Sequence, residues 1–285
     1  MSWHASIVPV PGPAEPANTI AGVIILLLVF AASTVILAAC TASNGTPAEI
    51  HFGIGMEGET GSSAAVAVSN VQFYIHDVQL LDTAGLPHPF RFDAVAPWQS
   101  GELALVELGG SDERIGNATI RGTPASGTAR TYTGIRFSIG VPFALNHANP
   151  LTAAAPLDRS ELFWAWQSGH KFLRVDLLDA GREWSFHLGS TGCTSASALR
   201  PPAAPCAQPN VMRIEIAGID PLRQSIQLQL HELVSSMRAA KHAICTGNYA
   251  HDPACADVFS KTGLQADTGA CPNDRCDSQR LWRAE

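Results

Sequence analysis

The stretch that organises this chain runs from Gly134 to Cys193 and reads GIRFSIGVPFALNHANPLTAAAPLDRSELFWAWQSGHKFLRVDLLDAGREWSFHLGSTGC. It holds three of the ten histidines and three of the six tryptophans. An Asn-His pair lies near its start and a His-Leu-Gly-Ser-Thr-Gly-Cys run ends it. Imidazole nitrogens are the commonest metal ligands in proteins. The stretch therefore predicts a metal site on a β framework, and the alternative is a Trp-rich core with solvated histidines.

The fold class follows from the period of the apolar residues. Strict alternation from Ile135 to Val141 is typical of a half-buried strand, and Met212–Ile216 and Ile226–Leu230 repeat it. Asp179-Ala180-Gly181 predicts a hairpin turn. We count about nine strands and no alternation of strand and helix along the chain, which favours a mainly β, antiparallel sandwich or barrel-like single domain. One or two short helices are expected, with Asp158–Trp166 as the best candidate.

Composition excludes several functions. Charged residues make up 15% of the chain and the formal net charge is −7, so a nucleic-acid partner is not expected. The sequence has no G-x-S-x-G, H-E-x-x-H, P-loop, G-x-G-x-x-G or C-x-x-C-H motif. The common hydrolase, nucleotide-binding and haem-attachment classes are therefore not indicated.

The N-terminal region predicts a lipoprotein. Residues 20–39 are almost entirely apolar, and Leu37-Ala38-Ala39-Cys40 is similar to a bacterial lipobox, in which the cysteine is lipidated. An uncleaved membrane anchor is the alternative, since the length suffices for a transmembrane helix. We assign residues 1–40 to this signal or anchor segment, 41–47 to a flexible tether, and 48–285 to the folded domain.

Cysteine usage points to an oxidising compartment. Apart from Cys40, six cysteines lie in the C-terminal third, with short gaps and no zinc-type spacing. Spacing alone does not fix their connectivity, and three local disulfides between neighbours are the expectation. These cysteines are Cys193, Cys206, Cys245, Cys255, Cys271 and Cys276. From about residue 234 onward the period-two pattern fades, so 234–285 is expected to be a Cys-rich extension whose loops the disulfides hold.

Four histidines are the candidate ligands because each lies in or beside an apolar run: His51, His76, His147 and His187. Others, including His88, His170 and His231, look more solvated. His51 and His187 alternate against apolar neighbours and so point away from them. Neutral imidazole binds copper, zinc, nickel and iron, so the histidines alone do not choose the metal. Indole has no lone pair to offer, so a tryptophan would need chemical modification to become a ligand.

Five motifs together resemble the metallo-mystery pair four-Cys family, which includes the copper-binding protein of methanobactin operons. They are FYIHDVQLL (73–81), VPFALNHANP (141–150), PLDRSELFWAWQSGHKFLRVD (156–176), FHLGSTGC (186–193) and CAQPN (206–210). The resemblance covers about residues 48–265. It implies a protein of the bacterial cell envelope, on the periplasmic side or anchored to the outer membrane, that binds one copper ion and is not itself an enzyme.

The resemblance also implies a partner and a ligand set. The partner is a di-haem protein similar to cytochrome c peroxidases, which oxidises a tryptophan of the copper binder to kynurenine. Carried over to this sequence, His147 and His187 are the first ligands, followed by His76 and then His51. Trp164 or Trp166 is the candidate for oxidation. The rival interpretation is a metal-free β-sandwich module that docks a redox partner or surface component, and a redox enzyme in its own right is the third.

Overall fold

The computed structural model describes residues 46–55, 66–109, 116–128, 130–240, 244–247 and 252–285. The predicted signal or anchor segment, the lipidation site Cys40 and most of the tether lie outside the described residues. Among the helices that are described, none has the length and hydropathy needed to cross a membrane.

Strands dominate the described part of the chain. They are β1 Ala48–Gly55, β2 Ala67–Asp82, β3 Pro87–Phe92, β4 Ala104–Glu107, β5 Thr119–Pro124, β6 Tyr132–Ile139, β7 Phe163–Ala165, β8 Gly169–Asp179, β9 Arg182–Gly189, β10 Met212–Ala217, β11 Ile226–Gln229, β12 Ile244–Thr246 and β13 Trp282–Ala284. The α-helices are α1 Phe143–Asn146, α2 Leu230–Ala239 and α3 Pro253–Ser260, and 3₁₀ turns cover Ser160–Leu162 and Pro272–Asp274.

Strand β2 is the centre of the sheet. It is 16 residues long and pairs with β8 and β4 in its first half and with β3 and β6 in its second. A bulge between His76 and Gln79, where Asp77 has a φ of 49°, separates the two halves. A bulge bends a strand and increases its twist. The two halves of β2 can therefore pair with different strands of a curled sheet.

The mainly β, sandwich or barrel-like fold class is confirmed, and the sheet differs from expectation in one respect. It is mixed, because β1 pairs with β11 and β12 pairs with β9 in parallel. The main path runs β12-β9-β8-β2-β3-β5-β1-β11-β13, and β6 carries β10 on its far side. Parallel neighbours need long connections rather than hairpins. Period-two alternation does not report strand direction, which is why the sequence did not reveal them.

The hairpin around Asp179-Ala180-Gly181 is confirmed. Strands β8 and β9 pair antiparallel from Asp179 opposite Arg182 back to Lys171 opposite Gly189. Ala180 and Gly181 both have positive φ, at 49° and 80°. Two consecutive residues of positive φ are the requirement of the tight turn whose twist matches that of the strands. This hairpin carries the candidate ligand His187.

The predicted helix at Asp158–Trp166 is wrong. Ser160–Leu162 forms a single 3₁₀ turn, and Phe163–Ala165 continues as β7, which pairs with the start of β8 through Phe163 and His170. Asp158 does not cap a helix. The aromatic side chains that follow favour extended backbone, and Gly169 at a φ of 78° allows the chain to reverse directly into β8.

The C-terminal region is part of the core rather than a set of loops alone. Trp282 of β13 is buried and meets the rings of Phe52, Phe73 and Phe137 edge-on. The helices α2 and α3 bury one face each against the sheet, where one or two helices in all had been expected.

The structure contains disulfides Cys193–Cys206, Cys245–Cys255 and Cys271–Cys276. These are the neighbouring pairs expected from the sequence.

A second, smaller core supports the loop that follows β6. Tyr74, Val141, Leu157, Leu162 and Phe172 are buried together there. The Tyr74 hydroxyl donates to the carbonyl of Pro156 at 3.1 Å, which ties the loop to β2. The segment that carries α1 and the tryptophans is therefore held against β2 and β8.

Candidate metal centre

His147 follows α1 directly and is buried. Its Nδ1 lies 3.0 Å from the carbonyl oxygen of Trp166. A carbonyl only accepts, so Nδ1 must carry the proton and the lone pair is on Nε2. Burial lowers the pKa of His147, an effect that the Trp166 carbonyl partly offsets. The imidazole is therefore neutral at neutral pH, which is the form that binds metals.

The Nε2 atom of His147 faces a disulfide. It lies 3.9 Å from the Sγ atom of Cys206, and the potential ligand atoms of His147, Cys193 and Cys206 are all within 4.8 Å of one another. Across the described residues this is the one group of three or more His, Cys, Asp or Glu donors that is this compact. A disulfide sulfur lacks the thiolate charge that makes cysteine a strong ligand. In the oxidised protein, the imidazole is the strong donor of the group.

Asn146 and His170 fix the backbone beside His147. The Asn146 side-chain oxygen accepts from the backbone N–H of His170 at 2.8 Å, and the Asn146 backbone carbonyl lies 2.7 Å from His170 Nδ1. The Asn146 side-chain nitrogen donates to Ser190 Oγ at 3.3 Å. A Cβ on Gly169 would lie 2.6 Å from the Asn146 carbonyl oxygen. The expectation that His170 is solvated is wrong, because it is fully buried between backbone carbonyls.

His187 on β9 is held by a carboxylate. Its Nε2 lies 2.7 Å from Asp176 Oδ1. Burial alone would raise the pKa of Asp176, but hydrogen bonds from His187 and Ser185 and the charge of Arg174 outweigh it and hold the pKa well below its usual value. An ionised carboxylate accepts from Nε2–H, so a neutral His187 ring would have its lone pair on Nδ1. Carboxylate–histidine pairs of this kind commonly orient metal ligands.

The Trp164 ring lies over Gly189, the last residue of β9. A Cβ added to Gly189 would meet the Trp164 ring at 2.7 Å, so the indole covers that position. His187 and Gly189 share one face of the strand because they are two residues apart, a separation of about 7 Å. Trp164 also lines a cavity of about 480 Å³ together with Ser190, Cys193 and Thr246. Thr246 is the register partner of His187 in β12.

Trp166 has a different role. Its carbonyl accepts from His147, and its ring meets Phe163 edge-on at 6.2 Å between centroids. The backbone of Trp166 thus sets the tautomer of His147, while the ring of Trp164 faces the cavity. The sequence alone did not separate these two tryptophans.

His76 lies in β2 opposite Ser138 of β6, at the bulge. Its Nε2 is buried and has no hydrogen-bond partner among the described residues. Burial lowers the pKa of His76 to about 4, an effect that the charge of Asp77 partly offsets. His51 is exposed on β1, where Nδ1 lies 3.1 Å from Thr119 Oγ1. Within the described residues, the four predicted histidines do not form a group of three with ligand atoms within 4.8 Å.

The fold and the centre define a β protein whose buried imidazole, disulfide and tryptophan-lined cavity meet at one end of a hairpin. The family model MbnP matches residues 31–248, and the chain belongs to this family. This confirms the resemblance drawn from the five motifs.

A solved structure of MbnP from Methylosinus trichosporium has the same fold. The TM-score is 0.71 and the sequence identity 22%, over 84% of this chain and 98% of that chain. A comparison with curated proteins gives no match.

Proposed function

We propose that this chain is a copper-binding protein of the bacterial cell envelope, with His147 and His187 as the imidazole ligands of one copper ion. The observation that carries the proposal is the state of His147: it is buried and neutral, and its Nδ1–H is donated to the Trp166 carbonyl. A fixed lone pair on Nε2 is what a metal ligand needs. Membership of the MbnP family supports copper as the metal.

We propose His187 as the second ligand because one of its ring nitrogens is also held by a hydrogen-bond acceptor. Asp176 accepts from Nε2–H at 2.7 Å and orients the ring. The two histidines are linked through the end of β9. Asn146, next to His147, bonds to Ser190, and His187 precedes Ser190 by three residues on the same chain segment. His76 and His51 stay predictions as third and fourth ligands.

Trp164 is the tryptophan we propose is converted to kynurenine, since its ring lines the cavity. With two equivalents of hydrogen peroxide, cleavage of the indole C2–C3 bond adds two oxygens and releases two waters. Hydrolysis of the N-formyl group then releases formate and leaves an aromatic amine. The di-haem partner would direct this oxidation. The amine supplies the lone pair that indole lacks, so the modified residue can act as a further copper ligand.

The envelope location rests on the lipobox-like segment ending at Cys40, the three disulfides and the family. In this proposal the protein acquires, stores or hands on copper, and catalysis belongs to the di-haem partner. The lipid anchor would keep the β domain at the membrane surface.

Copper titration of the purified oxidised protein tests the ligand assignment. Wild type is expected to bind one copper ion per chain, and His147→Ala and His187→Ala are each expected to abolish tight binding. His88→Ala is the matched control, since His88 bonds to Asp82 and Ser126 and is not a proposed ligand, and it should bind as wild type does. Metal-free wild type that takes up no copper would favour the interaction-module alternative.

Mass spectrometry tests the modification separately. Co-expression with the di-haem partner is expected to add about 4 Da to the peptide containing Trp164, the net of one oxygen gained and one carbon lost. Trp164→Phe should abolish the shift and Trp166→Phe should retain it. Unchanged masses for all tryptophan peptides would reject kynurenine and leave the histidine assignment standing.

A further inference from the structure

The disulfide Cys193–Cys206 lies against the proposed ligand His147. Cys206 Sγ is 3.9 Å from His147 Nε2, and all three potential ligand atoms lie within 4.8 Å. If the sulfurs were thiolates, one nitrogen and two sulfur ligands would surround a single point. Thiolate and imidazole ligands of this kind are suited to Cu(I).

The backbone around the two cysteines is held independently of the S–S bond. Thr191 and Gln208 form an antiparallel bridge with hydrogen bonds of 2.9 and 3.1 Å, and Ala207 donates to the Gly192 carbonyl at 3.2 Å. The Gln167 side chain donates to the Cys193 carbonyl at 3.0 Å. None of these bonds involves a sulfur atom, so we expect them to hold the two thiols near His147 when the disulfide opens.

This disulfide is also the most accessible of the three. Cys193 is partly exposed and lines the cavity of about 480 Å³. Both cysteines of the other two disulfides are buried. Thiol–disulfide exchange requires the attacking thiolate to reach a sulfur atom, so access decides which bond opens first.

We propose that Cys193–Cys206 is a reducible disulfide. When it opens, its two thiols and His147 form a Cu(I) site with one nitrogen and two sulfur ligands, which exists only in the reduced protein. A small dithiol supplies the two electrons: its thiolate attacks Cys193 Sγ, Cys206 leaves as a thiolate, and the second thiol of the reductant resolves the mixed disulfide. The reductant becomes a disulfide, and Cys193 and Cys206 become thiols. Binding of Cu(I) then releases their two protons to solvent. The inference shares His147 with the proposed function but does not require copper binding by the oxidised protein.

Limited reduction with a dithiol, removal of the reductant under inert gas and titration with Cu(I) from its bicinchoninate complex test this site. Alkylation and peptide mass mapping are expected to label Cys193 and Cys206 before the four cysteines of the other two disulfides. That sample should bind one Cu(I) per chain more tightly than the oxidised protein, and X-ray absorption should report two sulfur ligands and one nitrogen. The oxidised sample, titrated in parallel, tests the proposed function on its own.

Two double variants provide the matched controls. Cys193→Ser/Cys206→Ser should lose the reduction-dependent Cu(I), and Cys271→Ser/Cys276→Ser should keep it. His147→Gln in the reduced protein should weaken Cu(I) binding by about tenfold or more. Equal Cu(I) uptake by both double variants, or a reduced wild type whose copper has sulfur ligands only, would overturn the inference. The spectroscopic measurement on wild type decides the matter if a double variant fails to fold.

Discussion

Two histidine–aspartate pairs in this molecule have nearly the same geometry and different surroundings. His187 Nε2 lies 2.7 Å from Asp176, and His88 Nε2 lies 2.9 Å from Asp82. Asp82 also accepts from the backbone N–H groups of Ala84 and Leu86, and so holds the turn between β2 and β3. The other ring nitrogen of His88 lies 2.6 Å from Ser126 Oγ. The His88 pair closes a turn. The His187 pair lies beside the end of β9, where the Trp164 ring covers Gly189 and the next residue, Ser190, accepts a hydrogen bond from Asn146.

The difference teaches that a carboxylate beside an imidazole does not identify a metal ligand. What distinguishes His187 is its neighbours, since Thr246, its register partner, lines the cavity with Trp164. His88 instead contacts Ser126, in the turn that follows β5, and makes a T-shaped ring contact with Tyr132. Parallel substitutions in the two pairs therefore separate metal binding from structural support.

The largest expected effect is on copper affinity. His187→Ala removes a proposed ligand and should lower copper affinity by more than about 100-fold. His88→Ala should leave copper affinity unchanged, because His88 lies on β3 and bonds to Asp82, which holds the β2–β3 turn. Competition titration against a copper indicator measures both. Equal losses in the two variants would remove the distinction between the pairs.

Substitution of the carboxylates should have an intermediate effect. Asp176→Asn keeps the size of the side chain but removes the charge that orients His187, and should weaken copper binding by about 10- to 100-fold. Asp82→Asn is the matched control and should bind copper as wild type does. The same titration measures both variants, and unaltered affinity in Asp176→Asn would mean that His187 is not a ligand.

A pH series should reveal the structural role of Asp82. The hydrogen bond from His88, followed by the turn N–H groups, lowers the pKa of Asp82 to about 2 from 3.8. A depressed carboxyl pKa contributes stability that is present above the unfolded-state pKa and lost as pH falls through the folded-state pKa. The unfolding free energy of wild type should therefore fall between pH 3.8 and about 2 more steeply than that of Asp82→Asn. Urea denaturation at several pH values measures this. Equal slopes of unfolding free energy against pH in the two proteins would contradict the prediction.

The smallest expected effect concerns Ser126. Its hydroxyl lies 2.6 Å from His88 Nδ1 at an exposed position. Ser126→Ala should cost about 0.5–1.5 kcal/mol of stability, as for a typical hydrogen bond, with no change in copper binding. Thermal unfolding with and without copper measures both. A changed copper affinity here would mean that the two pairs are coupled.

Much of the fold was predictable because period-two alternation marks half-buried strands directly. It located β6, β10, β11 and the β8–β9 hairpin. The missed helix α2 had a signal: Leu230, Leu233, Val234 and Met237 are buried and recur at helical spacing. The aromatic run after Asp158 misled because a cap-like pattern does not outweigh the extended preference of its aromatic residues.

The candidate site was predictable only in part. The hairpin turn fixes the register that sets Asp176 opposite Ser185 and Arg174 opposite His187, so the Asp176–His187 contact could have been read from the sequence. The approach of His147 to Cys206 joins residues 59 positions apart. No local pattern reports such a contact. The burial of His170 between backbone carbonyls likewise depends on how the loop after β6 returns to β8.

The central claim is that one copper ion is bound between His147 and His187. Anomalous X-ray diffraction at the copper absorption edge, from crystals of the copper-loaded oxidised protein, tests it most directly. We expect one anomalous peak per chain within bonding distance of His147 Nε2 and His187 Nδ1. A peak at His51, His76 or His88 instead, with none at His147, would contradict the account.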